Sequence, residues 1–155
     1  MYSEVRFEKL EAMRVASCCI ISRNPEVQVA SYLKGWAEER GVRGARSFGF
    51  DYPVTDEQGE QGFRGYESWI VVPDSVTESE GVIIKDIPGS EYAVLRISEP
   101  FNDPFSRIPT GWQKLHEWVW KSEYAPGAGQ KRYWLEEVAE DEDGRTYMDL
   151  FYPIG

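Results

Sequence analysis

The chain has 155 residues, with 27 acidic side chains against 17 basic ones and a formal net charge of -10 at pH 7. That length suits one domain with its own core, or two small half-domains sharing one. The charge argues against a phosphate-tracking nucleic-acid binder, because such proteins cluster Lys and Arg, and here only Arg40, Arg43 and Arg46 form a loose group. Acidity favours cationic small molecules over anionic ones through a field that salt weakens.

Residues 5 to 21 hold two apolar runs split by Glu11 and Ala12, which predicts a strand, a short turn and a second strand ending near Ser22. Asn24 and Pro25 read as a helix start, Val29, Leu33, Trp36 and Ala37 follow at helical spacing, and Gly41 supplies the stop. A short strand over Ser47 to Tyr52, a polar loop through Asp56 to Gly62 and a strand from Gly65 to Val72 complete the first half. In the second half, strands at 82–87 and 92–97 flank Pro88-Gly89, a pair suited to a hairpin turn. EPFNDPFSRIPTG reads as a Pro-rich connector, followed by a helix carrying Trp112, Leu115 and Val119 on one face; Pro126, Gly127 and Gly129 end it. Strands at Lys131 to Val138 and Thr146 to Tyr152 close the chain. Each half reads strand, strand, helix, strand, strand, over about 4–75 and 80–155. The expected fold is α+β, a single domain over 1–155 of duplicated half-domains with antiparallel sheets and a central ligand cleft.

Candidate chemistry centres on KRYWLEEV. Side chains alternate across a strand, so Glu136 shares a face with Trp134 and Val138, and Glu137 shares the other with Tyr133 and Leu135. One glutamate therefore points inward, unless both sit at a solvated strand end. A carboxylate among aromatic rings is costly to bury unless a cation or donor answers it, and rings with a carboxylate are how proteins recognise lipophilic cations. In the facing last strand, Tyr147 and Phe151 fall on one side, with Met148, Leu150 and Tyr152 on the other. Glu67 shares a strand face with Trp69, as a second acid in the cleft or as a solvent-facing residue. His116 reads as a packing or surface residue, and Trp118 and Trp120 as core or self-association residues. Cys18 and Cys19 point to opposite sides of a strand and read as free thiols; with one histidine there is no zinc-ligand spacing, and no metal or cofactor is expected. The N-terminus is charged throughout and no run is long enough to span a bilayer, so the expectation is a cytoplasmic protein without membrane contact.

Taken in order, NPEVQVASYLKGWAEERGV, RGYESWIVVP, IPGSEYAVLRI, IPTGWQKLHEWV and WLEEV with MDLFYPIG resemble the GyrI-like small-molecule-binding domains over nearly the whole chain. Such domains also form the effector-binding part of some AraC-type and multidrug-responsive bacterial regulators. The resemblance implies a central cleft whose basal acid contacts cationic or amphipathic ligands. Its leucine-glutamate motif selects Glu136, and its aromatic walls map onto Tyr66, Trp69, Trp112 and Phe151, the last departing from the tyrosine of many relatives. It implies binding of lipophilic cations or amphipaths for drug or toxin sensing or sequestration. One alternative is a hydrolase of cyclopropane-containing toxins with Glu136 as base and a tyrosine or Glu67 assisting. Another is an interaction module for DNA gyrase or a regulator. The duplicated unit takes up the whole sequence, so a regulatory role is expected to act through a partner rather than through direct nucleic-acid contact.

Overall fold

The computed structural model describes residues 1–124 and 133–154. Predicted features at Pro126, Gly127, Gly129, Lys131 and Arg132 lie outside the described residues. In chain order the elements are β1 (Arg6–Leu10), β2 (Met13–Ser22), α1 (Pro25–Glu38), β3 (Ser47–Tyr52), α2 (Asp56–Glu60), β4 (Arg64–Val71) and β5 (Ile83–Ile87). There follow β6 (Ser90–Ser98), a 3-10 turn (Pro100–Asn102), α3 (Pro104–Trp120), β7 (Leu135–Glu140) and β8 (Thr146–Ile154). This is an α+β fold in which the strands within each unit pair antiparallel. Two compact units divide it: unit 1 is Met1–Glu11 with Gly89–Gly155, and unit 2 is Ala12–Pro88.

Unit 2 arranges its strands β3-β4-β2-β5, and α1 packs on one face. The helix starts with Pro25 preorganised at the first position, although Asn24 makes no side-chain cap. It ends where Gly41 takes a positive φ of 79° and Val42 donates back to the carbonyl of Ala37 at 3.0 Å. Val29, Leu33, Trp36 and Ala37 of α1 bury against Ala16 and Cys18 of β2 and Ile70 of β4, so even-numbered residues of β2 and β4 face the helix. Burying each large aliphatic of that stripe is worth about 1.5–3 kcal/mol. Odd-numbered Ser17, Glu67 and Trp69 face away from it.

Unit 1 repeats the lateral order as β7-β8-β6-β1, with α3 on one face. Leu115 and Val119 of α3 pack on Ala93, Leu95 and Ile97 of β6 and on Met148, Leu150 and Tyr152 of β8. Gly111 brings α3 close to β6 and β8, since a Cβ there would lie 2.7 Å from Ile97 Cδ1 and 3.1 Å from Leu150 Cδ1.

Four sequence expectations change. Pro88-Gly89 closes no hairpin, because β5 pairs with β2 and β6 with β1 and β8; a turn dipeptide permits reversal without choosing a partner. Chain order puts β1 with the first half, whereas its pairing to β6 puts it in unit 1. Much of the Pro-rich connector is helix: Pro104 occupies the first helical position. Pro109 costs only the bond back to residue 105, in an end turn where Phe105 is 81% exposed. The polar loop after β3 contains α2, opened by a capping box in which Thr55 and Gln58 exchange side-chain and backbone bonds.

Candidate functional site

Strand alternation and helix spacing build an aromatic cluster on the α3 side of unit 1. Glu136 of β7 sits opposite Leu150 of β8, a residue packed against α3, and so extends toward the helix. There Trp112 Nε1 donates to Glu136 Oε2 at 3.1 Å. The Trp112 and Trp134 rings lie 5.8 Å apart, and Trp134 lies 4.3 Å from Tyr152. Trp112, His116 and Trp120 recur every four residues on α3 and share one stripe. Trp120 Nε1 donates to His116 Nδ1 at 3.1 Å, and the Tyr152 hydroxyl lies 2.9 Å from that same nitrogen. An indole N–H can only donate, so Nδ1 accepts and a neutral imidazole carries its proton on Nε2. Burial pushes the Tyr152 phenol up, and the nearby Trp120 N–H pulls the other way without cancelling it. Trp134 and Trp120 remain 44% and 54% exposed, which leaves indole surface for a ligand.

A second constellation lies on the helix-free face of unit 2. Glu67 accepts at Oε2 from Ser17 Oγ at 2.7 Å, Trp69 Nε1 at 2.6 Å and Lys85 Nζ at 2.7 Å. Phe50 meets Trp69 edge-on at 5.1 Å. Burial alone would raise the Glu67 pKa, but the bonds from Lys85, Trp69 and Ser17 and the Lys85 charge outweigh it and hold the carboxyl below its ordinary value. Glu67 is therefore an ionised acceptor at neutral pH, poorly suited to donate a proton. Burial and the Glu67 charge push the neighbouring Cys19 thiol up, and burial does the same to Cys18, so neither is an activated nucleophile.

Within each unit the predicted residues group as follows. Glu136, Trp112 and Trp134 come together, as do Glu67 and Trp69. Tyr66 extends from the other face of β4, toward α1, over Gly49, where a Cβ would lie 2.4 Å from its ring. Phe151 pairs with Leu135 and is fully buried on the face of β8 opposite Tyr152, edge-on to Tyr92 at 5.6 Å. Glu137 pairs with Asp149, away from α3. Sequence reading named Tyr152 on the strand facing Glu136 without choosing its side, and missed His116 and Trp120 as members of the cluster; the four-residue recurrence of Trp112, His116 and Trp120 was the available signal. Among the described residues, no group of three or more His, Cys, Asp and Glu could hold a metal, and no helix is long and apolar enough to cross a membrane.

The model of the GyrI-like small molecule binding domain matches residues 3–154. The chain belongs to this family. Its structural neighbours show the GyrI-like fold at low identity. The EcmrR C-terminal domain matches at a TM-score of 0.66 and 14% identity, covering 98% of this chain and 97% of that one. SAV2435 bound to tetraphenylphosphonium matches at 0.54 and 13%, covering 99% and 94%. The EcmrR chain of an EcmrR–DNA complex matches at a TM-score of 0.67 and 14% identity, covering 99% of this chain, which spans only 57% of that one. No curated protein matches the chain.

Proposed function

We propose that this GyrI-like domain binds lipophilic cations at the α3 side of unit 1, with Glu136 supplying charge and the indoles of Trp112, Trp134 and Trp120 supplying apolar area. The observation that carries this reading is the Trp112–Glu136 bond of 3.1 Å beside a half-exposed Trp134. A carboxylate already oriented by an indole N–H needs little reorganisation to meet a cation, and each cation–π contact adds about 0.5–2 kcal/mol. Tetraphenylphosphonium, the ligand of the SAV2435 structure, is a cation of this kind and supports the class. A sensing role, with a regulator or DNA gyrase as partner, would build on this binding step.

Titration with tetraphenylphosphonium, followed by tryptophan quenching and calorimetry, tests the reading. Glu136→Gln should weaken binding roughly tenfold in a chain that still folds, since one desolvated charge pair is worth more than one kcal/mol. Unchanged affinity removes Glu136 from the role. Incubation with a cyclopropane-bearing electrophile separates binding from hydrolysis: a binder saturates without forming product.

A further inference from the structure

The two units carry one architecture but fill it differently. Aligning the buried stripe Val29, Leu33, Ala37 of α1 with Gly111, Leu115, Val119 of α3 sets Ala30 against Trp112, Lys34 against His116 and Glu38 against Trp120. Phe48 pairs with Trp69 as Leu135 pairs with Phe151, which sets Ser47 against Trp134, Gly49 against Glu136 and Ile70 against Tyr152. The place that unit 1 packs with aromatic rings is thus lined in unit 2 by alanine, serine and charged residues. The consequence is visible as a cavity of about 550 Å³ between α1 and β3.

Its volume lies in the range of small-molecule sites, roughly 300–1,000 Å³. Leu33, Val42 and Ile70 give it a buried apolar floor, with Ser68 beside them. Lys34, Arg43 and Glu38 form its rim. Arg43 is paired with Glu38 at 3.0 Å, which neutralises both. Lys34 has no ion pair among the described residues, so the rim carries one uncompensated positive charge beside an apolar floor. This local polarity opposes the net charge of -10, and within a Debye length of about 8–10 Å the nearer charge dominates.

We infer that this cavity is a second ligand site, independent of the Glu136 cluster, and that it takes a small amphipathic anion: an apolar body on Leu33, Val42 and Ile70 and a carboxylate or sulfonate head at Lys34. Arg43 could turn from Glu38 to the same head, since the pair is exposed and held weakly.

The full chain is titrated with 1-anilinonaphthalene-8-sulfonate by fluorescence, and octanoate is then used as a competitor. Ala30→Trp places in unit 2 the ring that unit 1 has at Trp112. Because Ala30 is exposed, the chain should fold, and dye affinity should fall at least about tenfold as the apolar volume is filled. Should that variant fail to fold, Ser47→Trp, at the exposed position matching Trp134, does the same from β3. Lys34→Glu should weaken dye and octanoate about fivefold, the scale of a single exposed charge contact reversed. Glu136→Gln should leave both unchanged, so this test and that of tetraphenylphosphonium fail separately. Dye binding that survives the filling variant overturns the site, and binding indifferent to Lys34→Glu overturns the anionic class.

Discussion

Replacing Glu67 with glutamine tests how the buried anion of unit 2 is held. Its single oxygen Oε2 takes three donors, and the side chain is 7% exposed. Bonds to a charged acceptor are worth about 1.5–3 kcal/mol and neutral ones about 0.5–1.5, so neutralising the acceptor forfeits about 1 kcal/mol per bond. Lys85 is 33% exposed and recovers part of its share by turning to water. The net expectation is a loss of about 2 kcal/mol, or roughly 4–8 °C in melting temperature for a chain of this size. Thermal unfolding followed by tryptophan fluorescence measures it, and Trp69, which donates to Glu67, is a local reporter. The pH dependence has a definite sign. The folded pKa lies below the ordinary 4.5, so the stabilisation is fully present above that value and is lost as pH falls through the folded pKa. The gap between wild type and Glu67→Gln should therefore be widest near neutrality and close in acid. A gap below about 0.5 kcal/mol at neutral pH, or one that widens in acid, would refute the electrostatic account, since that is the scale of an ordinary surface change.

Asp149 is the counterpart test in unit 1. It accepts from Arg96 Nε at 2.9 Å and Nη2 at 3.1 Å and from Arg6 Nη2 at 2.7 Å. Asp149→Asn should cost about 1–2 kcal/mol, less than a fully buried pair because both guanidinium groups reach water, seen as a lower urea midpoint at unchanged slope. Gly65→Ala should destabilise by about 1–3 kcal/mol, because the new Cβ would lie 2.5 Å from the backbone carbonyl oxygen of Tyr52 and overpacking costs this much; calorimetry of the variant measures it.

Much of this fold was legible in the residues. Alternation located every strand, and the stripe Val29, Leu33, Trp36, Ala37 located α1, because local periodicity records which side of an element is buried. Alternation also put Glu136 with Trp134 and Glu67 with Trp69. The start of α3 was hidden because two prolines and a turn-rich composition read as a connector, while the tolerance of Pro109 depends on its distance from the helix start.

By itself, then, the sequence determined the order of the strands and of the two long helices, the faces within each strand and the family. Only the tertiary structure decided that β1 pairs with β6, that α3 covers the face bearing Glu136 rather than Glu137, and that small residues leave a cavity in unit 2 where rings fill unit 1. The reason is physical: periodicity is a property of neighbours along the chain. Partner choice, helix placement and empty volume depend on side chains far apart in sequence whose sizes must match in space.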